Sequence, residues 1–238
     1  MVLNKSQKTI VVIGGGPGGA CAATFLARQG HTVHLLEKEQ HPRFHIGESL
    51  LPANTPILDE LGVLPQVRAS SIEKWGAEFS SVEHQTSVRI TFSEGWNADC
   101  QQAFQVRRSV FDEILFRNAG KNGAHCHERT EVTAVDFSAT QVCVNATTAT
   151  GTSKSFYADY VIDASGRDTF LSTRLKLKQK NKKHNSVAIY AHFTGATRHS
   201  GKREGDVSIF WFAHGWFWFI PLADGSTSVG AVCWPYYL

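Results

Sequence analysis

The chain has 238 residues, 42% hydrophobic and 19% charged, so it can bury a proper core and reads as one large or two small globular domains. A net charge of +3 is too mild to argue for a nucleic-acid partner, and no apolar run is long enough to cross a bilayer. The five cysteines, Cys21, Cys100, Cys126, Cys143 and Cys233, are odd in number and form no CxxC pair, which argues against a zinc site or a disulfide frame. Reduced thiols in a cytoplasmic setting are therefore expected, with no metal and no nucleic-acid or membrane partner. Met1 leads through a few polar residues into a strand, so no charged leader with an apolar segment and cleavage site fits there.

Taken in order, Thr9 to Ile13 is a β-branched apolar run that predicts a strand buried on both faces. It feeds Gly14-Gly15-Gly16-Pro17-Gly18-Gly19, a GxGxxG pattern with Gly14, Gly16 and Gly19 in the three places. The first glycine permits a tight turn, the second lets the backbone approach a pyrophosphate, and the third lets helix pack on strand. A helix over Ala20 to Gln29 ends at Gly30, and His31 to Leu36 forms a second strand finishing at Glu37. An acid there, roughly 20 residues beyond the turn, can bind the ribose hydroxyls of an adenine dinucleotide, whose phosphate meets the helix N-terminus.

Pro42 to Pro52 is a polar loop without apolar periodicity, followed by a helix from about Ala53 to Leu61 with Gly62 as its stop. Lys74 stands before a strand in Ile72-Glu73-Lys74-Trp75-Gly76-Ala77-Glu78-Phe79. From Phe79 to Phe104 polar and apolar residues alternate, predicting antiparallel strands over one face of a cavity. Val110, Phe111, Ile114 and Leu115 follow a helix period. Thr130 to Phe137, Gln141 to Thr148 and Ser153 to Tyr157 read as a three-stranded meander, and Ala158 to Arg167 as an apolar strand with a polar turn. Lys176 to Lys183 is a basic run read as a solvated loop. From Val187 the chain alternates again, through Val207 to Phe212, Trp216 to Pro221 and Thr227 to Trp234, as neighbouring strands of one large sheet.

Five of these segments carry a resemblance. Trp216-Phe217-Trp218-Phe219-Ile220-Pro221 resembles the WxWxIP signature of flavin-dependent halogenases, with Trp216, Trp218, Ile220 and Pro221 in the fixed places. Arg43-Phe44-His45-Ile46-Gly47-Glu48-Ser49-Leu50-Leu51-Pro52 is similar to the RxxxGESLLP segment of the branch acting on phenols or pyrroles, and Lys74 falls in a KxGxxF pattern that carries the essential lysine. Arg108 to Leu115 resembles the RxxFDxxL segment, and Ala158 to Arg167 the second nucleotide fingerprint of glutathione-reductase-like flavoproteins.

The resemblance implies an α/β fold: a glutathione-reductase-like FAD-binding Rossmann domain with an associated antiparallel sheet. It implies FAD, reduced by a separate flavin reductase, and the use of oxygen and halide to halogenate a small electron-rich aromatic substrate, free or tethered to a carrier protein. Lys74 would deliver the halogen, hydrogen-bonding hypohalous acid as a cation or carrying the halogen as a free amine, and burial can tune it between those states. Arg43, Gly47, Glu48, Ser49 and Arg108 would lie beside the flavin, with Asp163 and Gly166 near the dinucleotide; Asp112 would be a helix-turn or packing contact, and Trp216, Trp218, Ile220 and Pro221 an active-site wall. The FAD-binding part is expected over 1–185, with inserted strands at about 76–104, and the beginning of a substrate-domain sheet over 186–238. The later segment that binds the flavin ribitol is not found before Leu238, so the sequence resembles about the first half of a halogenase. Two other readings stand beside it: an FAD-dependent aromatic hydroxylase or prenyl reductase, and a noncatalytic truncated flavoprotein.

Overall fold

The structure, a computed structural model, describes residues 6–95, 101–137, 140–179, 181 and 185–238. Cys100 and the lysines Lys180, Lys182 and Lys183 of the basic run lie outside the described residues. In chain order the elements are β1 (Thr9–Ile13), α1 (Pro17–Arg28), β2 (Thr32–Leu36), α2 (Asn54–Glu60), α3 (Leu64–Ala69), β3 (Ile72–Lys74), β4 (Gly76–Ser81), β5 (Thr86–Thr91) and β6 (Ala103–Gln105). Then follow α4 (Arg108–Lys121), β7 (His125–His127), β8 (Thr130–Asp136), β9 (Val142–Thr148), β10 (Ser153–Ala158), β11 (Tyr160–Asp163) and α5 (Phe170–Arg174). The last strands are β12 (Val187–Phe193), β13 (Val207–Phe212), β14 (Gly215–Pro221) and β15 (Thr227–Cys233).

The chain folds into two compact units, one from residues 1–44 and 109–179, the other from 45–108 and 180–238. It crosses to the second unit at 44/45, returns to the first at 108/109 and crosses again at 179/180.

The first unit holds a four-stranded sheet in the order β11-β1-β2-β7, with β1 parallel to both β2 and β11. Ile10 to Ile13 are all buried, as a strand flanked on both sides and covered on both faces requires. One face meets the meander β10-β9-β8, where Val11, Ile13 and Leu36 pack with Val132, Val144, Ala146 and Ala158. Helix α1 buries Gly19, Ala20, Ala23 and Thr24, a small-residue stripe that permits close packing. It begins at Pro17, three residues before the expected Ala20, because proline is preset for the first turn of a helix and needs no partner for a missing N–H.

The second unit is built on a six-stranded sheet, β12-β15-β14-β13-β4-β5. Strands β4 and β5, far away in sequence, belong to the same sheet as the C-terminal strands, and β13 runs parallel to β4 while the other pairs are antiparallel. Strand alternation puts Trp216, Trp218 and Ile220 on one face, and the register adds Val207, Ile209, Ala77, Phe79, Ser228, Gly230, Tyr190 and His192 to it. Ala77, Val207, Trp218, Ile220 and Leu222 form its buried core. A short ladder, β3 against β6, carries Lys74 at its end, and Ser49 bridges to Gln105 beside it.

Candidate functional site

The first unit contains a glycine cradle at the end of β1. Gly14 has φ +100°, and a Cβ there would lie 2.5 Å from the Ala164 carbonyl oxygen, because β11 ends directly alongside. A Cβ on Gly19 would fall 1.9 Å from the Gly14 carbonyl oxygen. These two glycines are demanded by the chain's own packing. Gly16 is different: its φ of −72° is ordinary, and its Cβ would meet only Arg43 Nη2, at 3.6 Å. Nothing among the described residues requires glycine there, whereas a pyrophosphate approaching the backbone would. Gly16 is also the N-cap of α1, with no side-chain cap, so the helix N-terminus keeps donors for an anion. The cradle therefore fits a dinucleotide.

Glu37, 4% exposed, stands beneath this turn. Its Oε2 accepts from the Gly15 N–H at 2.9 Å and from Arg43 Nη2 at 3.3 Å, and its Oε1 from the Glu39 N–H at 2.9 Å. Two carboxylate oxygens offer about four lone-pair positions, so one remains on Oε1. Arg43 also binds Asp112, fully buried, at 3.0 Å. Asp112 is thus more than a packing contact: it is the counter-ion that holds Arg43 over the glycine turn. Asp163 accepts from the Ser165 N–H, the Ser165 hydroxyl and the Leu171 N–H, which fixes the turn containing Gly166 at φ +63°.

In the second unit Lys74 is 2% exposed. Its Nζ donates to Ser49 Oγ at 2.9 Å and to the Leu50 carbonyl at 3.1 Å, and lies 5.1 Å from the centre of the Phe92 ring. Burial pushes the amine down to about 8, against an upward pull from the Asp206 carboxylate. Asp206 is buried at 1% and held by Arg89 Nε at 2.6 Å. Sequence reading missed Asp206, because only the fold brings its turn to β3: a Cβ on Gly205 would lie 1.9 Å from the Glu73 carbonyl oxygen. Arg108 donates to the Ile46 carbonyl at 2.7 Å and stands 3.0 Å from the Cβ position of Gly47, at φ +105°, so it braces the loop before Glu48. The Glu48 carboxylate pairs with His192, at 2.9 Å, another residue sequence reading did not single out.

The wall is set by complementary sizes. Trp218 pairs with Gly230, where a Cβ would fall 2.1 Å from the indole, and its Nε1–H donates to Ser228 Oγ at 3.2 Å. The rings of Trp216 and Trp218 are 5.9 Å apart, Ile220 is buried on the same face, and Pro221 is buried at the end of the strand. The four described cysteines are free thiols, and burial raises Cys21 and Cys126 to about 11. Among the described residues no helix is long and apolar enough to cross a membrane, and no group of three or more ligating side chains converges on a metal position.

A parallel βαβ unit with this cradle defines a dinucleotide-binding flavoprotein fold. The profile described as the FAD binding domain matches residues 7–228, and the chain belongs to that family. Halogenases stand among its curated relatives: it is 35% identical over 237 residues to "Tryptophan 2-halogenase" of Chondromyces crocatus, covering 95% of this chain and 43% of the relative. It is also 35% identical to "1H-pyrrole-2-carbonyl-[peptidyl-carrier protein] chlorinase" of Pseudomonas fluorescens, covering 94% of this chain and 55% of the relative. Among solved structures, the myxobacterial chondrochloren halogenase CndH, described as a variant of FAD-dependent halogenases, superimposes with a TM-score of 0.88 at 36% identity, over 97% of this chain and 53% of that one. The flavin-dependent halogenase CmlS gives 0.90 at 32% identity, over 98% and 42%. The chain spans about half the length of the curated relatives it matches.

Proposed function

We propose that this chain serves a flavin-dependent halogenase, with FAD in the cradle of the first unit and Lys74 of the second unit carrying halogen to an electron-rich aromatic ring. The observation that carries this reading is Lys74 itself: an amine 2% exposed, held by two oxygen acceptors and lowered to about 8. With that value roughly a tenth of the lysines are free amine at pH 7. The side chain thus reaches both the cation, which hydrogen-bonds hypohalous acid, and the amine, which takes halogen covalently.

When bound and reduced, FAD supplies the two electrons with which oxygen converts halide to an electrophile. The chain's own residues do the rest. Gly14, Gly16 and Gly19 admit the pyrophosphate, the open lone pair of Glu37 takes a ribose hydroxyl, and Asp163 keeps the Gly166 turn beside Gly14. Arg43, pinned by Asp112, adds positive charge at the cradle. Gly47, Glu48, Ser49 and Arg108 form the loop assigned to the flavin ring, and Trp216, Trp218, Ile220 and Pro221 form the wall that keeps substrate from direct flavin attack. A separate flavin reductase supplies reduced FAD.

The test feeds reduced flavin, oxygen and bromide with a panel of phenols and pyrroles and reads halogenated product by mass. Lys74→Ala is expected to abolish product while flavin oxidation continues. Lys74→Arg is expected to fail as well, because a guanidinium stays protonated. Product from Lys74→Ala at the wild-type rate overturns the reading.

A further inference from the structure

Three histidines gather on one face of the four-stranded sheet in the first unit, and the dinucleotide cradle leaves them unused. His34 on β2 pairs in register with His125 on β7, and Leu36 with His127, so the three rings share a face with Leu36 and turn toward the meander. The His34 ring stacks on His125 at 5.1 Å between centroids and lies 5.5 Å from His127. Phe156 of β10 closes the group, 5.3 Å from His34 and 5.2 Å from His127. His34 Nδ1 and His127 Nε2 are 3.2 Å apart. One nitrogen must donate and the other accept, so this contact exists only while at least one of the two rings is neutral.

The surroundings oppose further positive charge. Lys154 acts on His127 from β10 as one more cation, and β1 and β9 carry no charged residue. The nearby carboxylates are engaged or turned away. Glu128, next to His127, holds Arg117 and accepts from the His41 N–H. Glu131 and Asp136 of β8 adjoin Val132 and Val135, which pack into the core, so alternation points both acids to the opposite face. Burial first, then the neighbouring rings and Lys154, hold His127 down to about 4. Burial and His125 lower His34 as well.

The backbone beside the cluster carries Glu37. Its N–H donates to the His127 carbonyl at 2.8 Å, its carbonyl accepts from the Thr130 N–H at 2.8 Å, and the Arg129 N–H reaches the Glu39 carbonyl at 3.1 Å. The corner from His127 to Thr130 thus clasps the strand end that presents Glu37 to the glycine turn. We propose that the histidine cluster is an acid switch on the cofactor: protons bound to His34, His125 and His127 drive β7 off β2, the clasp on Glu37 opens, and FAD leaves. The inference rests on the reading that places FAD in the cradle. Between the ordinary 6.5 and about 4, the opened form binds more protons than the closed one. The closed form is therefore fully favoured above that window and loses ground as pH falls through it. Rings that stack and share a hydrogen bond when neutral repel as cations, so each proton makes the next opening easier.

The experiment titrates the purified chain with oxidised FAD, read by flavin fluorescence, at about pH 7.5 and about pH 5, either side of the ordinary histidine range. Wild type is expected to bind at the higher pH and to weaken at least about tenfold at the lower. His34→Gln, His125→Gln and His127→Gln combined put neutral amides in the cluster, and this variant is expected to hold its affinity within about twofold across the two conditions. Lys154→Gln changes an exposed residue and keeps every imidazole; with one cation fewer, its acid loss is expected to be smaller than that of wild type. Histidine ring NMR of the FAD-free chain reads the cluster by itself, with His34 and His127 taking protons below the ordinary range. No FAD bound at the higher pH overturns the cradle reading and this inference with it. Equal wild-type binding at both pH values overturns this inference alone. So does an acid loss undiminished in the triple variant or in Lys154→Gln, or titration of His127 in the ordinary range.

Discussion

The indole of Trp218 lies against Gly230 on the adjacent strand, in a space where a single methyl group would fall 2.1 Å from the ring. Gly230→Ala is therefore expected to displace the indole or open β14 from β15, at a cost of about 1–3 kcal/mol of stability, as for other over-packed sites. Ser228→Ala removes only the acceptor of the indole N–H and should cost about 1 kcal/mol. Urea denaturation followed by tryptophan fluorescence checks both; a larger loss for Ser228→Ala than for Gly230→Ala contradicts the packing argument.

Arg43 binds Glu37 and the fully buried Asp112. Arg43→Met removes the ion-pair partner of the buried Asp112 and is expected to cost about 3–5 kcal/mol. Arg43→Met combined with Asp112→Leu should recover much of that loss, since replacing a whole buried pair by apolar groups is often neutral. Thermal melts of the two variants decide it.

The three glycines of the cradle should separate in their effects. Gly14→Val and Gly19→Val strike the backbone and should destabilise the chain, whereas Gly16→Val should leave stability nearly unchanged and weaken FAD binding by about tenfold or more, roughly 1.4 kcal/mol. Fluorescence titration with oxidised FAD, beside a melt of the apoprotein, measures both. Equal FAD binding by wild type and Gly16→Val would remove the assignment of the cradle.

Lys74 makes stability depend on alkaline pH. Its folded value, about 8, lies below the ordinary 10.5, so between these values the unfolded chain binds more protons and stability rises with pH. Below about 8 the full penalty is present, on the order of 3 kcal/mol. Lys74→Met is expected to abolish the rise and to be more stable than wild type at pH 7, by about 1–3 kcal/mol after its lost hydrogen bonds are counted. Denaturation midpoints across that window check the sign.

Much of the site was legible in sequence because its signals are local. The glycine turn, the acid at the end of β2 and the alternating tryptophans each declare themselves within a few residues. Asp112 was undervalued for the opposite reason: its partner Arg43 is distant in sequence, and a helix period around Phe111 says nothing of what reaches it across the fold. The parallel pairing of β13 with β4 was equally hidden, because an alternating strand specifies its faces and not its neighbour. His192 was a polar residue in an apolar strand, Val187–Phe193, and that break in pattern was the one available signal. Helix α3 went unseen because six residues are too few to show a period.

The claim at the centre of the account is that halogen rests on Lys74 before it reaches substrate. The direct measurement is peptide mass mapping of the wild-type chain after reduced FAD, oxygen and bromide are supplied without any aromatic acceptor. A gain of one bromine, removable by thiol, is expected on the peptide containing Lys74 and not on those containing exposed lysines such as Lys176 and Lys178. Bromine spread over the exposed lysines with none on Lys74 would contradict it.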